Sequence, residues 1–468
     1  MQKTWFPDSL VLICSFILLA QVLSYVLPHG AYERVEVEGS HRTMVVNGTY
    51  ENISGDEKTT LRPWAFLMAL PEGMAEAQDI IFLIFLVGGV IALLRQSGAI
   101  DAALHGAVEK LGKAPWILIA GTSFIFGLGS FSIGMGEEYV PLIPIIVTMS
   151  LAMKLDSIVA MGMIWVPYGI GWGCAGINPF GVLIAQGLAG LPLTSGLATR
   201  WVLLVLFLAV GFHHVYSYAR KIQKDPSASL VADVDYSKGF EISEDVRVTW
   251  QRVAILVIFV AGLVMFVFGA KNQGWYITEL LAIFLGIGLS AVILARMDLN
   301  RASRTFLRGA AEMTSAALIV GFARTIEVVL SRGQIIDTVI HAIAGLLEGT
   351  GRYVSAVGML GVQTICNFFI PSGSGQAYVT MPIMSPLATL TDVPQQVAVL
   401  AYQFGDGFTN MVVPTSALVM GTLALGKIPY TRWVRFVMPL LVKLFALAIL
   451  VLILAVKYGH AWGFTTGG

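Results

Sequence analysis

The chain has 468 residues, 56% hydrophobic and 12% charged, with a mean hydropathy of +0.77, which excludes an ordinary soluble domain and predicts an all-α polytopic membrane protein. Acidic and basic residues number 29 each, so bulk charge gives no reason to expect nucleic acid as a partner. Cys14, Cys174 and Cys366 sit far apart in apolar runs, without CxxC or Cys/His spacing, and read as small core residues rather than metal ligands.

In chain order, Ser9 to Leu27 is long enough to span a bilayer and lacks an Ala-x-Ala cleavage pattern, so a retained first helix is expected. The polar stretch His29 to Pro63 alternates at Tyr32-Glu33-Arg34-Val35-Glu36-Val37 and carries the turn pair Asn47-Gly48, the pattern of a small β-hairpin in water. Asn47-Gly48-Thr49 and Asn52-Ile53-Ser54 also match the glycosylation acceptor pattern, which chance supplies often. Trp64 to Gln78 reads as a short amphipathic segment, Asp79 to Leu94 as a span ending at Arg95, Ile100 to Gly112 as amphipathic, and Trp116 to Phe131 as apolar. A glycine-rich break follows. Asp156 to Gly190 is then a discontinuous helix, interrupted by Pro167, Gly169, Gly171, Gly173, Gly176 and Pro179. Trp201 to Val215 is a further span, closed by His213-His214 and by Arg220, Lys221 and Lys224.

Lys224 to Arg252 is polar, and its basic flanks favour the cytoplasm. It divides the chain into a first membrane repeat at 1–223, a linker at 224–252 and a second repeat at 253–468. Beyond it, Val253 to Gly269 and Trp275 to Ala295 are spans, Leu299 to Thr314 is basic and amphipathic, Ser315 to Leu330 spans, and Arg332 to Gly349 is amphipathic again. Tyr353 to Phe369 precedes a second glycine-rich break, Val397 to Leu425 is a second interrupted tract, and Val434 to Val456 closes the chain. The count is about 11 spans. By parity, one unmatched helix, Val253 to Gly269, makes the halves parallel, so a miscounted crossing would make them inverted.

The halves repeat one another. Ile100-Asp101-Ala102-Ala103-Leu104-His105 matches Ile336-Asp337-Thr338-Val339-Ile340-His341 at an offset of 236, Gly136-Glu137-Glu138-Tyr139-Val140 matches Gly375-Gln376-Ala377-Tyr378-Val379 at 239, and Pro179 falls on Pro414 at 235. Paired interruptions of this kind are the sequence signature of a secondary transporter whose site lies between the repeats.

The breaks carry the chemistry. Unpaired backbone at membrane depth survives only where it is packed in protein or lines a wet cavity, so Gly134 to Pro141 and Ser372 to Val379 are the candidate binding site. Glu137 and Glu138 lie in a tract with almost no other charge, where a carboxylate costs roughly 2.5 to 3.5 kcal/mol; they suit a cationic group or a proton, and a tip reaching water is the plainer reading. Gly134 and Gly136 open the backbone beside them. The second break offers Ser372, Ser374 and Gln376, and the later tract Gly405-Asp406-Gly407-Phe408-Thr409-Asn410 with Pro414-Thr415-Ser416 adds Asp406, Asn410 and Thr415 as substrate contacts. Its counterpart in the first half has Asn178 alone. Ser132, Asn178, Asn367, Ser372, Thr409 and Ser416 are the oxygen donors that would suit Na+. Small-residue helix packing and half-helix capping explain the same residues without a ligand.

Arg324 and Glu327, at i and i+3, are expected to pair, a substrate carboxylate being the sharper partner for Arg324. His105, His341, His213 and His214 read as interfacial. No Walker A loop, HExxH or GxSxG elbow supports an ATP-driven pump or an enzyme. A channel would be expected to show ringed polar residues, and a sensor would need a larger output module than the linker.

Gly134-Met135-Gly136-Glu137-Glu138, Asn178-Pro179-Phe180 with Ala185-Gln186-Gly187-Leu188-Ala189-Gly190-Leu191-Pro192, and the Gly405 to Ser416 tract resemble the YfcC family, grouped with DcuC-type C4-dicarboxylate carriers in the ion transporter superfamily. The resemblance implies two inverted repeats, each giving a re-entrant hairpin and a broken helix to a transport domain that slides along a scaffold domain, usually in a homodimer. It further implies a multi-pass protein of the bacterial cytoplasmic (inner) membrane, coupled to Na+ or H+, with no other cofactor and a small-molecule substrate. The family's names point to C4-dicarboxylates and its arginine/ornithine relatives to basic amino acids. Glu137, Glu138 and Asp406, with no basic residue in the four site segments, favour a basic amino acid.

Overall fold

The computed structural model describes residues 9–36, 43–55, 58–100, 102, 114–236, 249–273, 275, 277–347 and 349–465. Most of the amphipathic run expected from Ile100 to Gly112, including His105, lies outside them. Six helical stretches among the described residues are long and apolar enough to cross a bilayer: Gln78–Gln96, Pro115–Ser132, Leu197–Lys224, Ile277–Leu294, Leu299–Arg332 and Tyr430–Tyr458. That is fewer than the hydropathy count: Ser157–Gly173 and Gln395–Thr409 end at breaks, while Ser9–Val26 and the 24-residue Trp250–Gln273 each include residues whose side chains lie outside the description.

Two helical hairpins stand along the chain, one before and one after the 224–252 stretch. In the first, Pro115–Ser132 runs to a tip at 133–136, then a 3-10 turn Glu137–Leu142 leads into Ile143–Ala152. Pro141 keeps that return from starting as a regular helix, whereas Pro144 sits in the first turn of Ile143–Ala152, where proline is tolerated. In the second, Arg352–Phe369 ends before Pro371 and the chain returns as Gly373–Leu390, with Ser372 as its N-cap accepting from Gly375 N at 3.4 Å.

Each hairpin is followed by an interrupted helix. Ser157–Gly173 starts on Asp156, whose side chain accepts from Val159 N at 2.9 Å, stops at Cys174 and resumes as Val182–Leu188. Gln395–Thr409 stops and resumes as Ala417–Leu425, capped by Ser416. The long segments are buried from Ser157 to Gly173 and from Gln396 to Thr409 and cross backbone to backbone: a Cβ on Gly407 would lie 2.3 Å from Gly173 N. Only glycine permits that approach.

The polar stretch folds as two nested antiparallel pairs, Gly30–Ala31 with Glu51–Asn52 and Arg34–Glu36 with Thr43–Val45. The expected hairpin is present, but Asn47-Gly48 turns the chain between Thr43–Val45 and Glu51–Asn52 instead of closing the inner pair, whose connection lies outside the described residues. The layer docks on Ile336–Gly345. Arg34 reaches Asp337 at 2.8 Å, Tyr32 Oη meets His341 Nδ1 at 3.0 Å, and the Tyr50 ring stacks on His341 at 3.9 Å. Within the linker, Asp233 and Leu230 O are held by Arg432 at the start of Tyr430–Tyr458.

Candidate functional site

Both tips and both breaks meet at one cavity of about 1170 Å³. Ser132, Gly134, Glu137 and Glu138 come to its wall from the first tip; Ser372, Gly373 and Ser374 from the second. Ile177, Pro179 and Phe180 come from the first break, and Asn410, Thr415 and Ser416 from the second. Tyr168 and Trp172, near the end of the first broken helix, complete this side.

The first tip is held by its own backbone. Gly134 has φ +81°, which a side chain rarely adopts, and a Cβ there would lie 2.5 Å from Asn178 Oδ1. Ser130 Oγ donates to Met135 O at 2.9 Å. The adjacent acids divide the work: Glu138 is buried and its Oε2 accepts from Gly136 N at 2.7 Å, while Glu137 is half-buried on the wall. Asn178 is fully buried and acts as a strut, its Nδ2 donating to Ser130 O at 3.2 Å and its Oδ1 accepting from Phe180 N at 2.8 Å.

Asp406 lies behind the wall. Trp172 Nε1 donates to its Oδ2 at 2.5 Å and Asn410 Nδ2 to its Oδ1 at 3.0 Å. Asn367, on the second hairpin, binds the second break at three points: its Nδ2 donates to Asp406 O at 3.1 Å, Thr409 Oγ1 at 2.7 Å and Asn410 Oδ1 at 2.8 Å. Gln376 faces the inside of its own hairpin and donates to Gln363 O at 2.9 Å and Gln363 Oε1 at 2.7 Å. Gly136, Asn178, Asn367, Gln376, Asp406 and Thr409 therefore shape the cavity from behind, and the other expected residues line it. Three buried acceptor oxygens here, Asn367 Oδ1, Gln376 Oε1 and Thr415 Oγ1, have no hydrogen-bond partner among the described residues.

The opposite wall holds residues that the site segments did not include. Glu76, Asp79 and Arg324 face the cavity, with Phe268 and Trp275 beside them. Arg324 pairs with Glu327 as expected, and its Nε also donates to Glu76 Oε2 at 2.9 Å. Glu76 ends the helix Ala65–Glu76 that packs on Thr314–Arg332, so its place depends on tertiary packing. The three acids Glu72, Glu76 and Asp79, clustered just before a span, were the available signal.

The model of the family described as "C4-dicarboxylate anaerobic carrier" (DcuC) matches residues 6–457. The chain is 30% identical to "Putative basic amino acid antiporter YfcC" of Escherichia coli (strain K12), over 97% of each chain. It is 28% identical to an uncharacterized protein of Haemophilus influenzae, over 97% of this chain and 98% of that one. Among solved structures, the Alcanivorax borkumensis YdaH transporter is 15% identical at TM-score 0.44, covering 99% of this chain and all of that one. Neisseria gonorrhoeae MtrF, titled as illuminating a class of antimetabolite efflux pumps, is 17% identical at TM-score 0.41, covering 97% and 95%.

Proposed function

We propose a function from one established premise: this chain belongs to the DcuC family of carriers, and is a multi-pass membrane transporter rather than an enzyme. Our reading is a secondary active transporter of the bacterial cytoplasmic membrane that carries a basic amino acid, by exchange or coupled to Na+ or H+.

The charge of the cavity carries the substrate class. Among the described residues Glu76, Asp79, Glu137 and Glu138 face it against Arg324 alone, and Arg324 is already held by Glu76 and Glu327. A dianion would meet like charge with no unengaged guanidinium on the wall, whereas a guanidinium or ammonium would meet Glu137. The name of the Escherichia coli relative agrees with this reading. The α-carboxylate would sit at the second tip and second break, where Gly373–Leu390 and Ala417–Leu425 begin and Ser374 and Thr415 offer hydroxyls. Those two helix starts are also what favours the second reading, a C4-dicarboxylate carrier.

In the mechanism that follows, Glu137 holds the side-chain cation, and Glu138, Asn178 and Asn367 keep tips and breaks in register. Na+ coupling would draw on the oxygens around Asn367 Oδ1, and H+ coupling on Glu137 or Asp406. The halves at 1–223 and 253–468, joined by 224–252, would act as inverted repeats with re-entrant hairpins in a homodimer. The test is uptake into proteoliposomes of labelled arginine, lysine, succinate and fumarate, with and without a Na+ gradient or internal amino acid. Uptake of arginine or lysine alone is expected; uptake of the dicarboxylates alone would overturn the reading.

A further inference from the structure

We propose that the basic helix Leu299–Glu312 and the groove beside it seat one anionic phospholipid, with an acyl chain in the groove and the phosphate at the arginine-bearing edge. Nothing in this depends on the transported substrate.

The helix has two faces. Ala302 and Gly309 are buried, and Gly309 sits so close to the span Gln78–Gln96 that a Cβ on it would lie 2.5 Å from Gly88 O and from Ala92 Cβ. Arg301, Arg304 and Arg308 share one flank of the helix, turned away from that contact, at helical spacing and are exposed, and exposed Arg296 precedes them. None of the four makes an ion pair among the described residues. Asp298, the nearest acid in sequence to Arg296 and Arg301, caps the helix by accepting from Arg301 N at 2.9 Å.

Under the apolar face runs a groove of about 280 Å³ between this helix and the spans Gln78–Gln96 and Ile277–Leu294. Val90, Leu93, Leu289, Val292 and Phe306 line it, and Ser303 supplies its one hydroxyl. Asn300, Ser303 and Arg304 follow one edge of the helix and link groove to arginines.

The position in the membrane follows from connectivity. Trp250–Gln273 and Ile277–Leu294 are separated by three residues and pack together, so the chain returns to the side of the 224–252 linker. That side is cytoplasmic by the positive-inside rule, and its leaflet is anionic. Charge complementarity selects an anionic lipid over a zwitterionic one, and the apolar groove selects a lipid over a free anion. A second copy docked by two-fold symmetry on this helix would bring arginines toward arginines.

The test uses the purified full-length protein in detergent, with phosphatidylglycerol, phosphatidylcholine or inorganic phosphate added. Thermal midpoints and lipid retention in native mass spectrometry are read on the same samples. Phosphatidylglycerol is expected to be retained and to raise the midpoint, and the other two are not. A basic residue near an anionic surface is worth about 1 kcal/mol, roughly fivefold, so replacing Arg301, Arg304 and Arg308 by Gln should weaken retention on the order of a hundredfold. Ser303→Phe, which fills the groove without changing charge, should also release the lipid. Equal retention of the two lipids, a shift with phosphate alone, or undiminished retention in the triple variant would overturn the proposal. So would a groove variant that splits a dimer in place of releasing lipid.

Discussion

Trp172 Nε1 donates to Asp406 Oδ2 at 2.5 Å, and this single bond joins the end of the first broken helix to the second, with the indole on the cavity wall and the carboxylate behind it. Asp406→Ala would leave Trp172 Nε1 and Asn410 Nδ2 without their acceptor, at a cost of about 1–3 kcal/mol for each buried group. Uptake is expected to be lost while the protein still inserts and elutes as the wild type does. Trp172→Phe keeps a ring on the wall and removes the donor, and should raise KM about tenfold, a change of about 1.4 kcal/mol. Normal uptake by both variants would remove the pair from the site.

Adjacent Glu137 and Glu138 should fail differently. Glu137→Gln removes a charge from the wall and should raise KM for a cationic substrate by roughly tenfold or more, with little effect on thermal stability. Glu138→Gln weakens the bond that closes the tip on Gly136 N, so it should lower the melting temperature and the maximal rate together. Steady-state uptake and a melting curve on each variant separate the two roles.

Glycine at the first tip is required by conformation and by space. Gly134→Ala places a side chain at φ +81°, costing about 1–2 kcal/mol, and pushes on Asn178 Oδ1. Gly187→Ala, with nothing within 4 Å of the added Cβ inside Val182–Leu188, is the control and should be neutral or slightly stabilising. Transport should be lost in the first variant and kept in the second.

The linker gives a pH prediction outside the bilayer. Its hydrogen bonds from Arg432 hold the Asp233 carboxyl down at about 2, against an ordinary value of 3.8. A carboxyl lowered in the folded state adds stability that is present above 3.8 and is lost as pH falls toward 2. Asp233 is mostly exposed, so screening keeps this contribution small. Melting of Asp233→Asn should match the wild type near pH 2 and fall slightly below it above pH 4, with the gap closing in high salt.

Helix ends were legible at Gly134, Pro371 and Pro179, where glycine or proline punctuates an apolar run, but Pro167, Gly169, Gly171, Gly375, Gly405 and Gly407, expected as interruptions, lie inside helices that continue through them. The Arg324–Glu327 pair was legible because both lie one turn apart on one helix. Direction was not legible. Asn178, Asn367 and Gln376 are the residue types that a ligand shell uses, yet each is turned to backbone or to a neighbouring amide, as buried polar groups must be when the chain supplies a partner. Glu76 and Asp79 reach the cavity only through packing of Ala65–Glu76 against Thr314–Arg332, which no local pattern encodes. Asn47-Gly48 was read as a closing turn because its chemistry fits any tight turn, whichever strands it joins.

The most direct measurement is calorimetric titration of arginine and of succinate into the purified protein and into Glu137→Gln. Saturable binding of arginine that weakens at least tenfold in the variant, with no heat from succinate, is the predicted result. Binding of succinate in place of arginine, or arginine binding of equal strength in both proteins, would contradict the account.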